Sequence, residues 1–495
     1  MDHSLPKRKI IKHISIFTSS SLVQSLGQLL HSYFGARWLG PDTFGAWQGA
    51  RLIQSYLSYA SLGVGHGMHR DVPVLRGQQR FEEIEKVKNC TWTFNLIVYS
   101  FVSIGLFLLS FFLKGNPEFL LSIKFIAIIT EITLFVGFFN VWNKANNRFE
   151  VISIVSLING IASIATIYLI YIGHLKGFLI AKVLILFFML MYYVYKNDTR
   201  LKYYLNKSII INEMKVGFPI LLLDVSTTLF STIDRILILT KLSFTDLGLY
   251  SLAGIIFIPV SVVFTSANSV LYPRVTEKFG KTNSPQSLVN MFQVPVLILS
   301  HTIPFLVASL YLIIPLIVTL FLTKYQLGIP AAQIVIWGIF FYSLVGTVSN
   351  VIIALNKQVY IVLLLCAMTI LNYFIGRVLI EMGLGIQGVA LSSFSIYVLY
   401  FVILYAIAFY LSRNTFHKFF SEIGAIALPS LINVTLVLGI NYYFDLSNFN
   451  FENILLIFAF IIALFIINLK FIKKALKLLG INSYQDFKQQ YVNRK

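Results

Sequence analysis

Long apolar stretches separated by short polar ones run the length of this chain, with no period-two alternation inside them. Each holds roughly 18 to 25 residues, enough for a helix to cross a hydrocarbon core of about 30 Å. The missing alternation excludes barrel strands, so the spans are helices. The pattern predicts fourteen, near residues 14–38, 43–68, 90–113, 118–142, 151–173, 178–195, 217–240, 247–272, 291–322, 330–355, 359–380, 386–411, 423–444 and 453–470. The ninth contains Pro295, Pro304 and Pro315, which predict kinks.

The basic residues between the spans carry orientation. With the N-terminus inside, the inner connections hold 29 of the 39 Lys and Arg, and the outer ones hold Arg37, Lys114, Lys176, Lys241 and Lys324. That bias predicts two cytoplasmic termini and an even number of spans. The outer connections are short, and none is long enough for a catalytic domain. The basic start "MDHSLPKRKIIK" resembles a secretory signal, but the apolar segment after it is studded with Ser and Gln and lacks a small-residue cleavage site. It is read as the first mature helix.

A turn recurs at half length. Shifting "LGPDTFGAWQGA" (Leu39–Ala50) by 203 places it on "LSFTDLGLYSLA" (Leu242–Ala253), with Gly45 on Gly248 and Trp47 on Tyr250. A second echo sets "ANNR" (Ala145–Arg148) over "ALNK" (Ala354–Lys357). Both outer and inner landmarks are kept, so the halves have the same orientation and six spans each, a parallel repeat of the kind transporters use. The expected organisation is residues 1–205 as one six-helix lobe, 206–415 as the second, and 416–495 as two further helices with a basic cytoplasmic tail. Gly40 and Pro41 predict the break after the first helix. Asp42 or Thr43 is expected to cap the second, as Thr245 or Asp246 would in the other copy.

Composition agrees with the pattern: 57% of the 495 residues are hydrophobic and 12% charged, and the mean hydropathy is +0.79. Such a chain belongs in a bilayer. The net charge of +19 lies in short tracts between spans and forms no continuous patch, so it reports topology and not a nucleic-acid partner. Cys90 and Cys366 lie far apart at or within apolar segments and are read as ordinary buried cysteines, without disulfide or metal spacing.

Three spans carry polar stripes. At about 100° per residue, Ser20, Gln24, Gln28, His31 and Gly35 share one face of the first. Arg51, Gln54, Ser58, Ser61, Gly65 and His69 share one face of the second. The seventh presents Asp224, Thr228, Ser231 and Arg235, with Asp234 nearby, and Thr227, Ser231 and Asp234 fall on Gln24, Gln28 and His31 under the same shift. Such stripes either line a water-filled cavity or hydrogen-bond between helices. The mid-span Arg51 favours a cavity, because an arginine at that depth is expensive without water or an anion.

Further intramembrane charges are Lys124, Glu131, Lys182 and Arg377. Lys124 and Arg377 lie near outer ends and can snorkel. Glu131, Asp224 and Asp234 are the candidates for ion coupling, with a structural partner on another helix as the alternative. No Walker-type loop, HExxH or nucleophile elbow is present, so the expectation is a protein that is not an enzyme, has no cofactor or metal, and is driven by an H+ or Na+ gradient or the membrane potential.

The polar first helix, "ARWLGPDTFGAW", "LGVGHGMHRDV" (Leu62–Val72), "NNRFE" (Asn146–Glu150) and "LGLYSLA" (Leu247–Ala253) together resemble the polysaccharide transporter branch of the multidrug/oligosaccharidyl-lipid/polysaccharide exporter superfamily. The resemblance covers nearly the whole chain. It implies an all-α polytopic membrane protein of two six-helix lobes plus two C-terminal helices, in the bacterial cytoplasmic membrane. It implies a flippase for an undecaprenyl-pyrophosphate-linked oligosaccharide used in O-antigen, capsule or exopolysaccharide synthesis, working by alternating access beside a polysaccharide polymerase and a chain-length regulator. Cavity arginines hold the pyrophosphate in related flippases, and Arg51 and Arg235 fit that role, with Gln24, Gln28, His31, Gln54, Ser58 and Thr228 as partners for sugars. The alternatives are a cation-coupled multidrug antiporter of the same superfamily, a lipid-linked peptidoglycan precursor flippase, and a membrane polymerase or ligase, which would require a large outer loop.

Overall fold

The computed structural model describes residues 7–197, 201–412, 417–444 and 451–478. The extreme N-terminus, the expected 415/416 boundary and the basic tail after Leu478 lie outside the described residues. The chain is helical throughout: α1 (Lys7–Leu57), α2 (Val64–Gly77), α3 (Phe81–Phe112), α4 (Pro117–Ala145), α5 (Phe149–Ala165), α6 (Ile167–Lys196), α7 (Lys207–Lys241), α8 (Phe244–Thr282), α9 (Val289–Phe321), α10 (Ile329–Ala354), α11 (Gln358–Leu379), α12 (Gly385–Leu411), α13 (His417–Tyr443) and α14 (Phe451–Leu478). Among the described residues, nine stretches are long and apolar enough to cross a bilayer. This is a polytopic membrane protein. α1 is not among the nine, because its Ser, Gln and charged residues make it too polar.

α1 joins the first two predicted spans. They break at Gly40, where φ 78° and ψ 171° are open to glycine and Pro41 follows. The second span ends earlier than expected, at Leu57, and a turn through Leu62 (φ 50°) and Gly63 (φ 88°) starts α2, so a helix replaces much of the inner loop predicted after residue 68. The predicted fifth span is likewise divided, into α5 and the start of α6, which breaks at His174 (φ 46°). α9 stays helical through all three prolines. Cys90 is buried as expected, whereas Cys366 is exposed.

Both echoes acquire a physical meaning. At the inner ends of α4 and α10, Asn147 and Asn356 adopt the same left-handed φ of 56°. Arg148 N donates to Asn143 O at 2.9 Å and Lys357 N to Ile352 O at 3.0 Å, so the two motifs close their helices with the same turn. The outer echo is a contact. A Cβ built on Gly45 would lie 1.8 Å from Phe244 O and 2.9 Å from Gly248 N, and one on Gly248 would lie 1.9 Å from Pro41 O. The two copies therefore cross backbone to backbone, as small residues permit between membrane helices. Thr245 Oγ1 donates to Asp42 Oδ1 at 3.2 Å across the crossing, so neither residue caps its helix as expected. The cap of α8 is Ser243, whose Oγ accepts from Asp246 N at 3.1 Å while its own N donates to Asp246 Oδ2 at 3.1 Å, a reciprocal box.

The chain divides into two compact units, Met1–Val262 and Val263–Lys495, and the division falls inside α8. In the first unit α1 packs on α5, α4 and α6, and α7 packs on α2. Gly63 and Gly217 make a second crossing there, where a Cβ on Gly217 would lie 1.9 Å from Gly63 O. In the second unit α10 packs on α12, and α13 and α14 dock on α9. Gln293 Nε2 donates to Glu422 Oε1 at 2.8 Å and Tyr405 Oη to Glu422 Oε2 at 2.7 Å, which ties α13 to α9 and α12. Asn433 and Asn468 exchange amide hydrogen bonds of 2.9 Å between α13 and α14.

The Gly45 crossing has no room for a methyl group, while Gly105 in α3 has no atom within 4 Å of a built Cβ. Gly45→Ala is expected to lower stability by about 1–3 kcal/mol, and Gly105→Ala to leave it unchanged or raise it by about 0.5–1 kcal/mol. Thermal size-exclusion profiles of the two purified variants decide this; a wild-type melting point for Gly45→Ala would show that the crossing is not tight.

Candidate functional site

Along α1 and α7, Arg51 and Arg235 fall between the two glycine crossings. α1 and the turn after it are joined to α7 there by hydroxyl bonds: Tyr56 Oη lies 2.7 Å from Thr232 Oγ1, and Tyr59 Oη 2.5 Å from Thr228 Oγ1. Tyr59 Oη also reaches Asp224 O at 3.2 Å. The sequence singled out Thr228 but not the tyrosines: Tyr56 stands in the last turn of α1 and Tyr59 in the turn after it, opposite Thr232 and Thr228, which lie one helical turn apart on α7.

Three cations collect in this region. Arg51 lies within electrostatic reach of both Arg235 and Lys182, and Lys182 within reach of His31. Among the described residues no ion pair involves Arg51, Arg235 or Lys182. The one carboxylate in the group, Asp234, is buried and accepts from Tyr250 Oη and from Arg235 N, both at 2.8 Å. Arg51 is exposed despite its mid-span position. Lys182 was recognised from sequence only as an intramembrane charge; its ammonium lies 5.3 Å from the centre of the Phe178 ring. Phe178 fills the space over Gly35 and packs on His31 and Trp47, with ring centres 5.0 and 5.3 Å away.

The remaining predicted residues divide between packing and open space. His31 is fully buried, and neither ring nitrogen has a hydrogen-bond partner among the described residues. Gln28 Nε2 reaches Asn159 Oδ1 on α5 at 3.5 Å, and Gln24 flanks the close contact of α1 with Gly160. Gln54 Nε2 donates to Thr133 Oγ1 on α4 at 3.3 Å. Ser58 is exposed, its hydroxyl bonded to Ser55 O at 2.7 Å. The three candidate carboxylates are separated: Asp224 faces His66 at 3.5 Å, Asp234 is held by Tyr250, and Glu131 accepts from Ser100 Oγ at 2.9 Å. No group of three or more metal-ligating side chains occurs among the described residues.

A family described as polysaccharide biosynthesis protein matches residues 36–330. No curated protein matches the sequence. Among solved structures, the fold is similar to the lipid II flippase MurJ in an inward closed conformation, with TM-score 0.67, 16% identity, and 97% of this chain and 99% of that one covered. It is also similar to an inward-facing multidrug resistance MATE family transporter of the MOP superfamily, with TM-score 0.63, 15% identity, and 81% of this chain and 98% of that one covered. An outward-facing MATE transporter matches at TM-score 0.54 and 15% identity over 81% and 96% of the two chains. At these identities the likeness is one of fold.

The contrast between exposed Arg51 and enclosed His31 is measurable. In a background with Cys90 and Cys366 replaced, Arg51→Cys is expected to react readily with a membrane-impermeant methanethiosulfonate and His31→Cys to stay unlabelled. Equal labelling of the two would place His31 on the accessible face.

Proposed function

Because the chain belongs to the polysaccharide biosynthesis protein family, we propose that it is a flippase that carries an undecaprenyl-pyrophosphate-linked oligosaccharide repeat unit from the inner to the outer leaflet of the bacterial cytoplasmic membrane. It works by alternating access, with both termini cytoplasmic, and serves surface polysaccharide synthesis of the O-antigen, capsule or exopolysaccharide type. The observation that carries this reading is the unbalanced cation cluster. Arg51, Arg235 and Lys182 share one region at membrane depth with a single carboxylate, Asp234, which attracts Arg235 and is also hydrogen-bonded by Tyr250 and a backbone amide, so three cations face one acid. Uncompensated charge at that depth is costly unless water or an anion answers it, and a pyrophosphate supplies the anion. Guanidinium groups match phosphate oxygens in geometry, while Gln54, Ser58 and Thr228 supply amide and hydroxyl partners for sugar. The prenyl tail stays in the bilayer.

The family and fold are those of transporters, so the work comes from an H+ or Na+ gradient or the membrane potential, and the half-exposed Asp224 beside His66 is the carboxylate best placed to couple it. The likeness to a lipid II flippase extends over α13 and α14. That favours a lipid-linked cargo over the multidrug reading.

Arg51→Ala and Arg235→Ala are each expected to remove charged hydrogen bonds worth about 1.5–3 kcal/mol, a roughly ten- to hundredfold loss in apparent affinity. Uptake of a radiolabelled lipid-linked oligosaccharide into the outer leaflet of proteoliposomes, at matched reconstitution, measures this. Unchanged transport in both variants would remove the cluster from the mechanism; no transport by the wild type would reopen the multidrug reading.

A further inference from the structure

The polar stripe predicted on the second span divides in the structure. Arg51 and Gln54 belong to the region just described, whereas Ser58, Ser61, Gly65 and His69 line a separate cavity of about 300 Å³ within the first unit. Its walls come from the turn after α1 and from α2, α3 and α4, and none of Arg51, Arg235 or Lys182 reaches it. It lies toward the end that the basic connections mark as cytoplasmic.

Two features show what would fill it. Asn95 lines the cavity, is 3% exposed, and its Oδ1 has no hydrogen-bond partner among the described residues. A buried amide oxygen without a donor is unfavourable, and a ligand hydroxyl would satisfy it. His69 and Lys144 also line the cavity and are exposed; partial desolvation, the nearby Lys144 ammonium and His66 lower the His69 pKa, so His69 presents a neutral imidazole that can donate one hydrogen bond. His66 is engaged by Asp224, so His69 and Lys144 are the pair left to meet an anion. An ammonium and an imidazole together suit a phosphate. Ser61 and Tyr99 add hydroxyls to the same lining, hydrogen-bonded to each other. The volume is at the small end for ligand pockets, enough for one head group and too small for an oligosaccharide.

We propose that this cavity is a binding site for a sugar phosphate, with the phosphate at His69 and Lys144 and the sugar hydroxyls toward Asn95. The ligand chemistry is shared by a lipid-linked head group arriving from the inner leaflet and by a free cytoplasmic sugar phosphate. Only the first of these sources rests on the flippase reading, and binding here is measured without transport.

The full-length protein in nanodiscs is titrated calorimetrically with glucose 1-phosphate, with inorganic phosphate, and with a short-chain prenyl-pyrophosphate-linked N-acetylglucosamine. Saturable binding of a sugar phosphate is expected, weakened roughly tenfold by Lys144→Gln and by Asn95→Leu, the effect of losing one strong hydrogen bond. Lys144 is exposed, and Asn95→Leu removes an orphan acceptor, so both variants are expected to fold; unchanged melting profiles confirm it. Binding of the lipid-linked probe alone with this variant pattern supports the site and assigns it to the lipid source, and binding of glucose 1-phosphate as well admits the free source. Inorganic phosphate binding as tightly as either sugar phosphate overturns the sugar half of the proposal. Absence of saturable binding, or binding abolished by Arg51→Ala and untouched by Lys144→Gln and Asn95→Leu, overturns the site while leaving the central reading intact.

Discussion

The first unit depends on two places where helices touch with no side chain between them. At Gly45 and Gly248, and again at Gly63 and Gly217, a Cβ would fall within about 2 Å of a facing carbonyl on at least one side of the contact. In a bilayer, lipid tails are as apolar as leucine, so close packing of small residues replaces the hydrophobic drive that assembles soluble helices. Both contacts involve the region around the second span of α1 and the chain on either end of α7. The approach they impose lets Tyr56 and Tyr59 reach Thr232 and Thr228 and brings Arg51 near Arg235.

That approach creates an electrostatic problem which the fold leaves open. Phe178 offers Lys182 the face of its ring and Asp234 attracts Arg235, but among the described residues Arg51 and Lys182 have no carboxylate paired with them. A structural ion pair would have closed the region with a carboxylate on each cation. The candidate carboxylates are instead spent elsewhere, Asp224 on His66 and Glu131 on Ser100. A site that needs an anion and keeps its own acids occupied is suited to hold one that arrives and leaves.

The same helix face serves two environments because α1 ends early. The turn at Leu62 and Gly63 redirects the chain into α2, so residues that a continuous helix would stack above Arg51 turn toward α3 and α4. One stripe in the sequence thereby becomes two polar regions, one basic at membrane depth and one mixed near the inner end.

Apolar stretches set by bilayer thickness determined the helical class and nearly all the spans, and the echo of Asn147 and Asn356 was legible as a repeat, while the left-handed turn that both adopt came only with the structure. Arg51 and Arg235 were legible too, since an arginine inside an apolar span is anomalous wherever it points. The partners were decided by tertiary structure alone. Lys182 entered the cluster through Phe178, His31 and Gln28 turned into helix packing, Asp42 met Thr245 instead of capping, and Cys366 was left exposed. Periodicity specifies the direction of a side chain from its own helix axis. What stands in that direction is fixed by where neighbouring helices can approach, and here glycines far apart in the chain set that approach.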